Sequence, residues 1–537
     1  MMLSKIFSFL KKRWILIGSP ILFGVLLAIC EIIIRDSYGV VSVDKWINPI
    51  IFGALLSLII LFSRSIIISI VYIVFITFIY LVQFSNLSYF GYWVSPMDIW
   101  LMFEKFTEVS QAGMSVIEHQ KLSLFCVVII TISCLLLLKI RRYDYRKYYT
   151  VSILGLLLLL FYPVKMVVDK NATLGRLPNI NHTVVKTSLY TMGYFFGHTL
   201  PEEVLGQSSV RAYTRSKPQK VMPPMSNNIV ILMGESLSSA YMSAYGFKEK
   251  TTPWLDSQKN MKNRYFTESY SGGLFTDVSV PFFFNLIKKP NAKKQIATGS
   301  SNLFRLAKDD GYKTFFYSSQ MSSGLSLVSL LGKQWMNDYK DSEVVTHDIK
   351  KPADDSQLIS WLNHAKLSSN NFIVLNPNGS HEPYIDRSPK NAKVFGSDSL
   401  YNEYLNSVHY SDEIIKQLQE KIETLPGTWT FIVTSDHGQN VTKTTAGKGS
   451  FLHETNYLVP VYIASNSEKV MQLAQNRFNG CQRIFHVQLS AFVSEIMGYK
   501  NDNLSCDTGY VAGKRLTGNS GYMHILEHGN KREIIYN

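Results

Sequence analysis

The sequence predicts a two-part fold: five transmembrane helices over residues 1–168, then an α/β domain over 227–537 whose mainly parallel sheet carries helices on both faces. Two observations predict it. Long apolar stretches crowd the first third of the chain, and beyond residue 226 short runs rich in Ile, Val and Phe alternate with helical segments. Composition agrees, since mean hydropathy is +0.05 although the net charge over 537 residues is +14. Such an average describes two unlike halves. A charged fraction of only 18% and the lack of a Gly-X-Y period exclude a disordered or fibrous chain.

The first span, Trp14–Ile34, follows Lys5, Lys11, Lys12 and Arg13. Its apolar region is too long for a signal peptide and no small-residue cleavage site follows, so a retained anchor is expected. Further spans are expected at about 47–62, 66–84, 122–140 and 151–168. With five spans, the basic tail, Arg64 and the group Arg141, Arg142, Arg146 and Lys147 all share one side. The opposite loops are mixed or acidic, with Arg35, Asp36, Asp44 and Lys45 in one and Asp98, Glu104, Lys105, Glu108 and Glu118 in the other. This asymmetry predicts a cytoplasmic N-terminus and an α/β domain outside the cytoplasm. The net charge splits as +7 for residues 1–168 and +7 for the remainder, so half of it reports topology. Glu31 and Arg35, one helical turn apart, read as an interfacial i,i+4 pair. No chain of intramembrane carboxylates or histidines points to ion transport. The membrane half therefore reads as an anchor with access to lipid, and a nucleic-acid partner is excluded.

Residues 169–226 read as an interfacial helix and linker. The amphipathic run Val184–Phe196 is followed by a polar, basic stretch from Gln207 to Ser226 containing Pro218, Pro223 and Pro224. Beyond it, Ile229–Met233, Thr314–Tyr317, Phe372–Leu375, Thr430–Val433 and Val459–Ile463 are expected strands, with helices at Asn302–Asp310 and Ser397–Leu425. Cys30, Cys126 and Cys134 fall within spans. Cys481 and Cys506 lie outside, where they either pair or remain two buried thiols.

Ligands of such folds bind beyond the carboxyl ends of the strands. Three strands there run into acid or histidine: Ile229–Met233 into Gly234-Glu235, Phe372–Leu375 into a loop reaching His381, and Thr430–Val433 into Thr434-Ser-Asp436-His437. His453 follows in a glycine-containing loop, GKGSFLHE. Two carboxylates and an imidazole suit a borderline cation such as Zn²⁺. Singly, each residue is explained as well by a cap or loop role; jointly they predict convergence at one sheet edge. His182, His198, His486, His524 and His528 have no such context. A hydroxyl is offered by Thr276, where Gly272-Gly273 leads into an apolar stretch and a helix start would favour an oxyanion. Ser279 competes with it, and an ordinary N-cap threonine is the plain alternative.

The segments GESLSSAYMSAYGFKEKTTPWLD (234–256), FTDVSVPFFFN (275–285), NGSHEPY (378–384), YLNSVHYSDEII (404–415), TSDHG (434–438) and FLHE (451–454) together resemble the phosphoethanolamine transferases, membrane-anchored members of the alkaline phosphatase/sulfatase superfamily. The resemblance implies zinc bound by Glu235, Thr276, Asp436 and His437, with Thr276 as the nucleophile. It implies that His381 and His453 serve substrate phosphate, a second zinc or protonation of the leaving group. It further implies phosphatidylethanolamine as donor, a phosphoethanolamine-threonine intermediate and an envelope glycolipid or glycan as acceptor. A monomeric enzyme of the bacterial inner membrane with a periplasmic catalytic domain is expected. The chain departs from the lipid A-modifying branch at Leu274-Phe275 and Phe282-Phe283, where that branch carries cysteines, and at Phe316–Gly324, where it carries an Asn/Lys-rich donor-binding stretch. Gln320 is the substrate-binding candidate in the latter. Core sugars, surface polysaccharide or periplasmic glucan fit the departures better as acceptor than lipid A does. Thr276-Asp-Val-Ser-Val-Pro offers no Cys or Ser in the C/S-x-P-x-R motif of a sulfate-ester hydrolase. A glycerophosphate transferase of the lipoteichoic acid synthase type and a non-catalytic lipid-binding scaffold are the alternatives.

Overall fold

A computed structural model describes residues 2–40, 43, 45–104, 106, 120–141, 148–168, 178–205, 208, 210–443, 445–502, 504–528 and 531–536, with backbone alone at 2–17, 528, 531–532 and 534–536. Of the charges used to orient the anchor, Asp44, Lys105, Glu108, Glu118, Arg142, Arg146 and Lys147 lie outside the described residues, as do the side chains of Lys5, Lys11, Lys12 and Arg13. The chain forms two compact units, Met1–Gln207 and Ser208–Asn537.

The first unit is helical: α1 (Met2–Ser37), α2 (Ile47–Phe62), α3 (Ile66–Phe90), α4 (Lys121–Ile140), α5 (Tyr149–Val168) and α6 (Val184–Tyr194). Four of these, α1 (over Gly18–Ser37), α3, α4 and α5, are long and apolar enough to cross a membrane. The fifth expected span, α2, has only 16 residues. It rises about 24 Å against a hydrocarbon core of roughly 30 Å. The apolar run at α6 packs into this unit through buried Val184 and Val185.

Glu31 and Arg35 form the i,i+4 pair read from the sequence. Both are buried, with Arg35 Nη2 at 3.0 Å from Glu31 Oε1. The guanidinium also donates to the carbonyls of Ile180 (2.9 Å) and His182 (2.7 Å) and lies 4.9 Å from the Trp93 ring centre. Glu31 Oε2 accepts the Val184 N–H at 3.3 Å. The pair fixes the entry to α6, with carbonyls facing the guanidinium and an amide facing the carboxylate.

The second unit is built on an eight-stranded sheet. In chain order its strands are β1 (Asn228–Gly234), β2 (Arg264–Tyr270), β3 (Lys313–Ser318), β4 (Asp338–Lys340), β5 (Asn371–Asn376), β6 (Trp429–Ser435), β7 (Leu458–Ser465) and β8 (Ile484–Phe485). Across the sheet the order is β8-β2-β7-β6-β1-β5-β3-β4. The sheet is mixed rather than uniformly parallel. β7 pairs antiparallel with both β2 and β6, and every other pairing is parallel. All of β1 is buried, because helices cover both faces and its apolar run needs no alternation. Ile229, Ile231 and Met233 join a core with α7 (Thr276–Phe284) and α9 (His486–Ile496), while Leu232 shares the other face with Ile414 and Ile415 of α8 (Leu400–Ile422).

The stretch read as a linker is partly structured. Gln219–Lys220 pairs antiparallel with Tyr499–Lys500, and Arg215 donates to Asn501 Oδ1 at 2.9 Å. Cys481 and Cys506 form a disulfide with Cα atoms 5.8 Å apart. A three-stranded antiparallel sheet, β9 (Thr508–Ala512), β10 (Tyr522–His528) and β11 (Lys531–Tyr536), ends the chain, and Leu274 N–H bonds Ala512 O at 3.0 Å.

Candidate active site

Strand register alone brings two carboxylates together. β1 and β6 pair in parallel with Gly234 opposite Ser435, so the next residue of each strand, Glu235 and Asp436, leaves the sheet at the same edge. Backbone bonds hold them there. Asp436 N–H donates to Gly234 O at 3.0 Å, and Asp436 Oδ1 accepts the N–H groups of Ser236 (2.9 Å) and His437 (2.7 Å). The turn after Glu235 places Ser236 at φ +58°, a left-handed conformation that costs a non-glycine residue energy. Tyr404 of α8 pins it, donating to Ser236 O (2.9 Å) and accepting from Ser238 N–H (3.2 Å).

β5, on the other side of β1, feeds the loop that closes over Glu235. Ser380 N–H donates to Glu235 O at 2.9 Å, and buried Asp355 accepts the N–H groups of Asn378 (2.7 Å) and Gly379 (3.0 Å). Gly379 sits at φ +55°, and a Cβ there would lie 2.7 Å from Glu235 O. Only glycine lets the two loops approach so closely.

β2 ends at Tyr270 and turns through Gly272-Gly273 into α7, delivering Thr276 at the first helical position. Thr276 Oγ1 lies 2.6 Å from Asp436 Oδ2, 3.2 Å from Glu235 Oε2 and 3.3 Å from His437 Nε2. Ser279, the competing hydroxyl, is buried away from this group and contacts Gly272 N–H (3.1 Å) and His486 Nδ1 (3.3 Å). Thr276 is half-buried, whereas Glu235, Asp436 and His437 are buried, so the hydroxyl forms the accessible side of the cluster.

The cluster has the donor set of a metal site. One ligand atom from each of Glu235, Asp436 and His437 lies within 4.8 Å of the others. His437 Nδ1 faces Gly438 O at 2.9 Å and must carry the ring proton, leaving the Nε2 lone pair toward Asp436 Oδ2 (3.2 Å) and Glu235 Oε1 (3.6 Å). Burial, with Lys448 beside it, pushes the His437 imidazole down to about 3, so it stays neutral. Burial raises the Glu235 carboxyl, but Lys448, His381, His437 and the Ser236 hydroxyl outweigh it and hold the group below the usual carboxylate range. Burial and the neighbouring Glu235 push Asp436 well up. Two buried carboxylates side by side, with a neutral imidazole, are the balance that a dication would satisfy.

The other predicted residues divide. His381 is half-buried and charge-coupled to Glu235 and His437; its Nδ1 donates to Glu382 O at 2.6 Å, leaving Nε2 as the bare nitrogen. Burial lowers it to about 4. Gln320 reaches the cluster, its Nε2 donating to Glu235 Oε2 (3.2 Å) and Pro377 O (2.9 Å), so it steadies a carboxylate. His453 is exposed at the start of a short 3-10 turn and makes no hydrogen bond to the cluster among the described residues. Its nearness to this edge has a simple origin: it precedes β7, and a reversed strand begins where its neighbours end.

Two residues escape sequence reasoning. Lys448, within the quoted GKGSFLHE loop, places Nζ 3.7 Å from Glu235 Oε1. His486 lies beneath the Gly272-Gly273 turn that leads to Thr276, its Nδ1 accepting Gly272 N–H at 3.2 Å and its Nε2 lying 3.4 Å from Thr434 Oγ1. A glycine-flanked lysine in the same loop as His453 was a usable signal for the first. Nothing local marks the second.

Fold and site together define a helical membrane-type unit followed by an alkaline phosphatase/sulfatase-like domain with a hydroxyl, two carboxylates and an imidazole at one sheet edge. The chain belongs to the Sulfatase family, whose model matches residues 227–499. It is similar to the putative transferase YhbX of Escherichia coli K12, 26% identical over 250 residues (44% of this chain, 42% of the relative). It is also similar to the phosphoethanolamine transferase EptC of the same organism, 23% identical over 285 residues (46% and 48%). The Kdo(2)-lipid A phosphoethanolamine 7''-transferase of E. coli K12 is 23% identical over 254 residues (43% and 42%). The matches thus span less than half the length of these curated relatives. A solved integral membrane protein, the lipooligosaccharide phosphoethanolamine transferase A of Neisseria meningitidis, shares the fold with a TM-score of 0.58 at 14% identity, covering 90% of this chain and 95% of that one. The transferase resemblance carried by the motifs is therefore met by relatives bearing that name.

Proposed function

We propose that the protein transfers phosphoethanolamine from phosphatidylethanolamine to an envelope glycolipid or glycan through a covalent intermediate on Thr276. The observation carrying this reading is the placement of one half-buried hydroxyl, Thr276 Oγ1, within 3.3 Å of Asp436, Glu235 and His437. Zinc held by Glu235, Asp436, His437 and the Thr276 oxygen would supply Lewis-acid charge that lowers the pKa of the hydroxyl and balances developing negative charge. Thr276 Oγ1 attacks the donor phosphorus, the phosphorus–glyceryl oxygen bond breaks, and diacylglycerol leaves with a proton. An acceptor hydroxyl then attacks the same phosphorus, the bond to Thr276 breaks, and its oxygen regains a proton. The bare Nε2 of His381 is the candidate to hand on these protons, and His453 is the candidate for the acceptor side. Gln320 and Gly379 keep Glu235 in place.

In this reading the helices form a five-span anchor of a bacterial inner membrane, with a cytoplasmic N-terminus and a periplasmic catalytic domain acting as a monomer. The departures at 274–275, 282–283 and 316–324 favour core sugars, surface polysaccharide or glucan over lipid A as acceptor. The test uses zinc-loaded, detergent-purified protein and phosphatidylethanolamine labelled in its headgroup. Label should move to an envelope glycolipid fraction, and Thr276→Ala should stop it. Full transfer by the alanine variant would refute the mechanism.

A further inference from the structure

Lys448 is held against the site by packing. The chain folds back after His437 through the pairing of Val441 with Ala446, which returns residues 447–449 to the site edge. Gly449 has φ +85°, and a Cβ there would lie 2.4 Å from the Phe275 ring and 3.2 Å from the Lys514 side chain. This glycine lets the loop close directly on Phe275, the residue before Thr276. The Lys448 ammonium stands 5.8 Å from the Phe275 ring centre and that of Lys514 stands 5.2 Å from it, so the nucleophile's immediate flank carries two cations. Lys448 Nζ and Thr276 Oγ1 share one neighbour, Glu235 Oε1, at 3.7 Å and 3.4 Å.

Charge balance then decides what the ammonium is for. As a counter-ion for Glu235 alone it would duplicate the charge that a dication held by Glu235, Asp436 and His437 would supply, and cation would face cation at short range. An anion lying between them removes that repulsion. A phosphoryl group bonded to Thr276 Oγ1 would bring its non-bridging oxygens beside the Glu235 carboxylate that Thr276 and Lys448 share.

We propose that Lys448 is a catalytic residue that binds a non-bridging oxygen of the phosphoryl group at Thr276, in the ground state and as charge develops during transfer. This rests on the reading of Thr276 as the phosphoryl acceptor, but it requires no particular lipid donor.

The test measures binding of inorganic phosphate by calorimetry to the full-length, zinc-loaded protein in detergent, with zinc affinity measured separately by chelator competition. Lys448→Met, close in shape and uncharged, should weaken phosphate binding at least tenfold with zinc affinity unchanged or raised. Lys448→Arg should recover part of the phosphate affinity. A melting temperature near that of wild type checks that each variant is folded. Wild-type phosphate affinity in Lys448→Met, loss of zinc in that variant, or no measurable phosphate binding by the wild type at millimolar concentration would each overturn the proposal. If phosphate binding depends on Lys448 but no headgroup label is transferred, the donor assignment fails and this one stands.

Discussion

His486 gives the protein a buried base whose protonation opposes folding. Its Nδ1 accepts the Gly272 N–H at 3.2 Å, so the proton must sit on Nε2, and adding a second would set two donors against each other. The ring packs edge-on to Phe283, with centroids 5.4 Å apart, and its other partners are hydroxyls and backbone, none of them charged. Burial accordingly pushes the imidazole down to about 3 from its ordinary 6.5. A group whose folded pKa is depressed contributes stability that is present above the unfolded value and lost as pH falls toward the folded one. The window therefore runs from 6.5 down to about 3. Between pH 7 and pH 5 the loss from this residue is about 2 kcal/mol. Denaturant unfolding of the full chain in detergent, followed by a probe in the second unit, should show wild type losing about that much more stability over this interval than His486→Gln. Gln retains a carbonyl that can accept from Gly272 and has no proton to gain. Identical pH dependence in the two proteins would refute the reasoning.

Two further outcomes follow from the geometry. Replacing Cys481 and Cys506 by serine opens a loop with a sequence separation of 25. Chain entropy puts the cost at about 3.5 kcal/mol, read as a lowered unfolding midpoint that reductant reproduces in wild type. Gly379→Ala places a Cβ 2.7 Å from Glu235 O at φ +55°. It should cost about 1–2 kcal/mol from the backbone conformation alone and weaken zinc binding. Unchanged zinc affinity would show that Glu235 does not depend on that approach.

What was legible in the sequence was what one strand and its next residue determine. Glu235 and Asp436 were readable because each directly follows a buried apolar strand, and the parallel register of Gly234 with Ser435 then does the rest. Thr276 was readable as a glycine-led helix start, although only the fold separates it from Ser279, one turn further on, which turns inward to His486. The reversal of β7 was not legible, since an apolar run such as Val459–Ile463 looks the same in either direction. That reversal is what brings the GKGSFLHE loop to the site edge. His486 and Lys448 reach Gly272 and Glu235, each more than 200 residues away in sequence, and only the flanking glycines of Lys448 mark either of them locally. The Glu31–Arg35 pair was legible as a pair but not as buried, because the carbonyls of Ile180 and His182 that receive the guanidinium arrive from beyond the last span. The length of α2 marks the limit of hydropathy reading, which finds apolar stretches more securely than it counts crossings.

The central claim is that Thr276 carries the transferred group. Zinc-loaded protein incubated with phosphatidylethanolamine and no acceptor, then digested and weighed, should yield the Thr276 peptide with the added mass of one phosphoethanolamine group, absent from Thr276→Ala and discharged when acceptor is supplied. A Thr276 peptide that stays unmodified while headgroup label is transferred, or that gains glycerophosphate from phosphatidylglycerol instead, would contradict the account.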